Sequence, residues 1–486
     1  MEHLNFDSII VLLYLATTLF IGMYAGRNIK NMKEYAVGDY KFSTSTLTAT
    51  ITATWIGAGS AIGTHEKVYQ FGIVWIFIFL GGVVAIFIFQ LLAPKIIKFK
   101  GSLSTAEMLT RWYGPKVRTI AGICVAICSI GMVGSQIRAV GYLFNEFFDI
   151  SPVLGIMIGA GIVVAYSSFG GIKAVTYTDV LQFAFFVVAI PLIANVALGQ
   201  VGGYKVLLDN VPAEHFKLFP NYGKPIEYLT LFFFFAIPFW DSCLIQRVLM
   251  ARDRNQIVSS FKATAFVMLL FYIICGQTAL SALVLNPNLD PNKVLYFVIN
   301  NYLPLGIKGL GIAGLLAVVM STADSYLNNS SVAIIHDIVN PSRKTPLSSK
   351  QELFITKLST LTIGCLSIIF AIQFKSITEA MIKSWVLWGA VMVVPLYGAV
   401  LGIRSNAKTF ILGALGGLTT VVIWAIFDIE ARTGVDSVMP ALATNLTVFT
   451  LASLYYHKLA PEKLYKPNVL QENFEGFDPQ KKMVGV

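Results

Sequence analysis

Charge is scarce in this sequence. Asp, Glu, Lys and Arg make up 13% of its 486 residues, against 56% hydrophobic residues. A soluble globular domain carries about 25% charged residues. So few charges cannot cover a water-facing surface, which leaves the lipid bilayer as the solvent for most of the outside. The net charge of +10 does not point to nucleic acid, because the Lys and Arg lie between apolar runs and form no patch. Cysteine is sparse too. Cys124, Cys128, Cys243, Cys275 and Cys365 all fall inside apolar runs, none at metal-ligand spacing, so neither a disulfide framework nor a zinc site is expected. No GxxxxGK[ST] loop is present, so ATP is not the expected energy source. No His-Glu-x-x-His or Gly-x-Ser-x-Gly motif occurs, and His65 and His336 are far apart in the chain; an enzyme is not expected. Glu2 and Asp7 stand where a signal peptide would be basic.

What is abundant is long apolar runs. A membrane helix needs roughly 20 apolar residues. Thirteen candidates lie near 6–26, 44–66, 71–94, 119–145, 152–169, 174–199, 227–249, 262–285, 306–336, 354–374, 379–403, 408–427 and 438–456. With the N-terminus outside, and charges near span ends counted with the adjoining segments, the cytoplasmic segments carry 26 Lys and Arg and the outside segments nine; Arg138 is the one left inside a span. That bias supports an N-out, C-in topology in the cell membrane. No soluble domain interrupts the spans, and 458–486 reads as a polar cytoplasmic tail.

Three spans carry features that a lipid-facing helix does not need. The second places Gly57-Ala58-Gly59-Ser60 at mid-membrane after a Thr-rich stretch. Glycine costs about 1 kcal/mol in a helix interior. Unwound backbone at that depth is tolerated only where it lines a protein-enclosed cavity; close packing through small residues is the alternative. The seventh contains Pro238, followed by Trp240 and Asp241, and proline removes a helical hydrogen bond. Interrupted spans at matching positions of two halves point to the binding site of an inverted-repeat transporter. The ninth holds Ser321, Thr322, Asp324 and Ser325. Oxygen donors suit a hard cation such as Na⁺. An intramembrane carboxylate costs at least about 2.5 kcal/mol on insertion scales, so Asp324 calls for a function. Upstream, GGIKAVTYTDVLQ (170–182) sets Asp179 among Thr176, Thr178 and Gln182. A carboxylate favouring a helix N-terminus is the plain alternative there, worth about 0.3–1 kcal/mol.

The stretch GGIKAVTYTDVLQ resembles the signature of the sodium:solute symporter family. Ser104–Glu107 with Arg111–Gly114 resembles that family's loop after the third span, Ala317–Ser325 its cation helix, and Ile237-Pro238 with Gln246–Leu249 its seventh span. The resemblance implies an all-α membrane protein of about 13 helices on the leucine-transporter plan. Residues 1–457 would form one transporter domain: an extra helix 6–26, inverted repeats 44–199 and 227–403, and further helices 408–457. It implies Na⁺ as coupling ion and no organic cofactor. The sodium ligands would be the carbonyls of Ala53, Ile56 and Val318 and the hydroxyls of Ser321 and Thr322. A second cation site would use Asp179 with Ser321 and Ser325; Asp324 falls where such members tend to have a hydroxyl, and could itself be a ligand.

The expected partners are a small-molecule solute and the lipid bilayer, with no nucleic acid, and function as a monomer. Candidate solute residues are Trp55, Gly57, Ser60, Gln136, Trp240 and Asp241. A zwitterion such as proline needs few partners and ranks first. A quaternary amine ranks second, because no complete aromatic cage is legible: the third core helix offers Gln136 but no aromatic at facing positions. Sugar or sialic acid ranks third, with Gln136 and Gln277 as thin support. Arg138 reads as a structural partner for Glu146 or Asp149, or as a solute-carboxylate ligand. A channel remains open on these grounds; a sensor would normally carry a signalling domain.

Overall fold

The computed structural model describes residues 6–469 except 28, 39, 222, 346 and 374–376. The remainder of the expected tail, from 470 onward, lies outside the described residues, as does Lys375. All regular structure among the described residues is helical. The spans are α1 (Phe6–Gly26), α2 (Thr44–Trp55), α3 (Ala58–Phe71), α4 (Ile73–Leu92), α5 (Arg118–Phe148), α6 (Pro152–Ser168) and α7 (Gly170–Val201). They continue as α8 (Pro225–Ala236), α9 (Ser242–Met250), α10 (Arg254–Leu285) and α11 (Ile307–Val332). The last are α12 (Ser349–Gln373), α13 (Ile377–Val391), α14 (Val393–Leu401), α15 (Ala407–Ile426) and α16 (Val438–Leu459).

Among the described residues, nine helices are long and apolar enough to cross a membrane alone, or ten with the α13/α14 pair, bent by 51°. The expected count of thirteen also includes α6, which is short, and the interrupted pairs α2/α3 and α8/α9. Each misses the criterion because a break or a short run divides its apolar length.

The breaks have local causes. Ser43 caps α2 by accepting the Thr46 amide at 3.1 Å. At its other end the chain leaves the helix at Ile56 (φ −82°, ψ 93°) and re-enters after Gly57. The unwinding is thus narrower than the sequence suggests: Ala58, Gly59 and Ser60 are already helical. A Cβ on Gly57 would lie 2.7 Å from Thr322 Oγ1 and 2.9 Å from Gln136 Oε1, so only glycine permits this approach. In the second interrupted pair, Pro238 cannot donate to a helix, and the chain from Ile237 to Asp241 is non-helical. Asp241 then restarts α9, accepting the Cys243 and Leu244 amides at 2.8 and 3.2 Å. Between α6 and α7 the expected loop at 170–173 is a single left-handed residue, Gly171 (φ 48°), in otherwise helical backbone.

The helix α11 lies at the centre. It packs on α5, on α6 and α7, on α1 and on α2, and nearly every residue from Gly309 to Val332 is buried. A helix buried all round has no lipid-facing stripe, so its Ser, Thr, Asn and Asp side chains face protein. Beyond it the backbone widens into a π-helical turn, Ala333–Val339. There His336 meets Glu107 at 2.9 Å and Asp337 meets Arg118 at 3.1 Å. Glu107 belongs to a short helix, Thr105–Tyr113, outside the spans. Burial alone would raise its carboxyl; the bond and charge of His336, the Leu103 amide and Arg111 outweigh that and hold it down at about 2.

Candidate solute and cation sites

The break in α2/α3 lies against α11, and there oxygen atoms converge. Ser321 Oγ donates to the Ala53 carbonyl at 2.9 Å and to the Val318 carbonyl at 3.0 Å. Thr322 Oγ1 reaches the carbonyls of Ala53 and Thr54 at 3.4 and 3.2 Å. Four of the five expected sodium ligands are therefore one cluster. The fifth, Ile56, is fully buried at the break, where its extended ψ turns its carbonyl out of the helical ladder. All donors are neutral oxygens, two of them hydroxyls that can rotate their protons away. That set fits a hard monovalent cation bridging α2 and α11. Gln136 of α5 steadies the same break: its Oε1 accepts the Ala58 amide at 2.8 Å, the first free donor of α3.

Asp179 does not sit in the first turn of α7, so the helix-dipole alternative does not apply to it. It is buried among three other helices. Its Oδ2 accepts a short bond from the Thr50 hydroxyl and faces Arg247 at 3.4 Å, both charged side chains being fully inaccessible. The guanidinium also reaches Ser325 Oγ at 2.6 Å, Gln246 Oε1 at 3.0 Å and Thr50 Oγ1 at 3.3 Å. Gln246 in turn donates to the Ala36 carbonyl at 2.6 Å, and Ser325 meets Thr54 at 3.0 Å. One cation thus ties α2, α7, α9 and α11 together. Asp324 points elsewhere: its Oδ2 accepts from Tyr166 at 2.9 Å and Thr178 at 3.4 Å. The expected second cation set is therefore divided. Arg247 stands between Asp179 and Ser325, while Asp324 turns toward α6.

Beside this oxygen cluster lies a cavity of about 60 Å³. Trp55, Gly57, Ser60, Gln136 and Asp241 all line it, as expected from the sequence. Trp240 does not. It sits at φ 53°, and its ring packs on Phe89 and Tyr397, with centroids 4.8 and 5.4 Å away. The proline break turns Phe239 inward and Trp240 outward. The sequence reading missed most of the aromatic wall. Trp385 of α13 meets Trp55 edge-on at 6.3 Å and Phe239 at 5.3 Å. Tyr272 of α10 stacks on Phe79 of α4 at 5.6 Å, and its hydroxyl bonds Ser60 at 3.3 Å. Periodicity gave no reason to single out one aromatic among the 35 Phe, 20 Tyr and seven Trp. Asp241 is the sole charged residue among the described lining residues. Its Oδ2 accepts from Tyr326 at 2.8 Å.

The remaining expectations separate cleanly. Gln277 bonds Tyr204 at 2.6 Å and the Ala194 carbonyl at 3.2 Å and does not line the cavity. Arg138 donates to the Ala371 carbonyl at 2.7 Å and the Tyr142 hydroxyl at 3.0 Å, and Glu146 pairs with Lys293. A second, wider cavity shares Phe234 and Ile382 with the first. Its wall includes Lys67, Glu227, Lys383, Glu430 and Asp436, from segments that the charge bias assigns to the outside.

Comparison with known proteins bears on the family and the fold. A model of the sodium:solute symporter family matches residues 35–420. The sodium/sialic acid symporter NanT of Aliivibrio fischeri is 24% identical over 94% of this chain and 95% of its own length. The high-affinity choline transporter 1 of Caenorhabditis elegans is 22% identical over 96% and 87%, and the osmoregulated proline transporter OpuE of Bacillus subtilis 20% over 91% and 93%. Among solved structures, a substrate-bound, outward-open Na⁺-coupled sialic acid symporter superposes with a TM-score of 0.78, covering 96% of this chain and 99% of that one at 20% identity. A nucleobase-cation-symport-1 family transporter superposes at 0.59, with 13% identity over 89% and 96%. The fold is therefore of the leucine-transporter type, Na⁺ is the coupling ion, and this multi-pass membrane protein belongs to the sodium:solute symporter family.

Proposed function

We propose that this symporter imports a small organic solute with an alkylated ammonium head, a choline-like quaternary amine. One observation carries the choice: a cavity whose single charged residue among the described lining residues is Asp241 and whose walls include the rings of Trp55, Trp385, Phe239, Tyr272 and Phe79. A quaternary ammonium over an aromatic face gains about 0.5–2 kcal/mol per ring and needs no hydrogen-bond acceptor. Rings from α4, α10 and α13 add to the aromatic faces that the sequence leaves incomplete as a cage. Proline, first on sequence grounds, is the second reading. Gly59 and Ser60 line the cavity at the start of α3, where free amides and the helix dipole favour a carboxylate. Sialic acid lacks a cationic partner among the lining residues.

In this reading Na⁺ is held by the carbonyls of Ala53, Ile56 and Val318 and the hydroxyls of Ser321 and Thr322. Bound there it fixes α2 to α11 and so shapes the cavity wall at Trp55–Gly57. The coupling is reciprocal: solute raises sodium affinity by the factor that sodium raises solute affinity, typically 5–150-fold. Rocking of the bundle then exposes both to the other side. Arg247 already supplies a cation to Asp179 and Ser325, which supports one Na⁺ per cycle. The wider cavity above Phe234 and Ile382, with the positive-inside bias, supports an outward-facing state and N-out, C-in insertion in the cell membrane.

The test is uptake of labelled choline, proline and N-acetylneuraminate into sodium-free proteoliposomes, driven by a sodium or a potassium gradient. Saturable choline uptake under sodium alone is expected. Saturable proline uptake that choline does not inhibit would move the assignment to the zwitterion.

A further inference from the structure

We propose that an anionic phospholipid seats one acyl chain in the groove between α14 and α16, with its phosphate on the basic residues at the groove's end, and that it thereby sets the mobility of the α8/α9 break. The groove is about 530 Å³ and its wall is almost wholly apolar: Val393, Val394 and Leu401 on α14, and Leu442, Leu446 and Leu454 on α16. It ends at Ser453 and His457. Leu442 to His457 is fifteen residues, about 22 Å at 1.5 Å per residue. One leaflet of the hydrocarbon core is about 15 Å thick, so the groove accommodates one chain through a single leaflet.

The charges choose the occupant. At the His457 end, Arg404, Lys408, His457 and Lys458 are all exposed, and His457 Nε2 is 2.7 Å from the Arg404 carbonyl. Glu462 is an acidic side chain on the next turn of chain. Basic residues at the membrane face attract an anionic headgroup at about 1 kcal/mol each, about five-fold per charge. A sterol or a zwitterionic lipid would gain nothing from them.

The far end of the groove reaches the transport machinery. Ile237, the first residue of the α8/α9 break, lines both this groove and the solute cavity. Tyr397, on the groove wall, meets the Trp240 ring edge-on at 5.4 Å. A chain lying there backs the non-helical segment from the lipid side, as the solute does from the inside.

The experiment uses the full chain, purified and placed in vesicles of phosphatidylcholine with or without phosphatidylglycerol. Lipid retained by the released protein is read by native mass spectrometry, which does not depend on which solute is carried. One phosphatidylglycerol should be retained in preference to phosphatidylcholine. Leu446→Trp, which fills the groove, should abolish that retention, and Arg404→Gln/Lys458→Gln should weaken it about 25-fold. Leu361→Trp, an equally lipid-facing change on α12, should leave it intact. Sodium-driven turnover should fall with retention across the four proteins. Equal retention of both lipids, retention unaffected by Leu446→Trp, or turnover independent of occupancy would each overturn the proposal. So would cross-linking of Leu446→Cys to a second copy with no lipid retained.

Discussion

Removing Arg247 tests the buried network most directly. The guanidinium is inaccessible and donates to four side chains, among them Asp179 at 3.4 Å and Ser325 at 2.6 Å. Arg247→Met keeps most of the volume but leaves Asp179, itself inaccessible, with the Thr50 hydroxyl as its remaining named partner. Stripping one partner from a buried pair costs about 3–5 kcal/mol, because the other charge stays behind in low dielectric. Replacing both by neutral groups removes that penalty. Arg247→Met/Asp179→Asn should therefore be more stable than Arg247→Met, with a coupling energy of at least about 2 kcal/mol. Unfolding in mixed micelles titrated with a denaturing detergent, followed by tryptophan fluorescence, gives the four free energies. If the two single substitutions add to within about 0.5 kcal/mol, the ion pair is not the organising element and the reasoning fails.

Ser321→Ala should raise the sodium concentration for half-maximal uptake tenfold or more. A hydroxyl facing a charge is worth about 1.5–3 kcal/mol, and a sodium titration of uptake measures it; an unchanged midpoint would remove Ser321 from the site. Trp385→Ala should raise the solute KM by about 2- to 30-fold, as expected for loss of one cation–π face, while Trp385→Phe recovers part of it. Equal effects of both would point to packing instead. For Glu107, held at about 2, the sign is that of a depressed carboxylate. Its contribution is complete above the ordinary glutamate range and is lost as pH falls toward 2. Thermal unfolding of Glu107→Gln should accordingly be flatter than that of the unaltered protein below pH 4.5.

Much of this architecture is written in local sequence. Long apolar runs, the proline at 238 and the glycine at 57 mark spans and breaks because hydropathy and backbone conformation are local properties. The oxygen cluster proposed to hold Na⁺ could be anticipated through resemblance, since Ser321 and Thr322 lie in one helical motif. What escaped depends on register between distant spans. Trp240 and Phe239 differ by one residue, yet the non-helical turn after Pro238 sends them to opposite sides. Trp385 and Tyr272 look like ordinary membrane aromatics until α10 and α13 are placed against α3. Arg247 could be read as a cytoplasmic charge at the end of a span; only packing shows it drawn into the centre, where it meets Asp179. Asp324 stood out on cost alone, but its partner Tyr166 lies 158 residues away in the chain.

Phe234 and Ile382 belong to both cavities, so the wall between the proposed solute cavity and the wider, charged one is one side chain thick. Such a wall measures length. A molecule whose head rests near Asp241 and whose tail ends short of Phe234 lets the wall close. One a few methylenes longer keeps it propped open and holds the carrier at that step. Chain-lengthened analogues of the cargo would then change from substrates into blockers, and the carbon number at which they do so would be a ruler for the chamber.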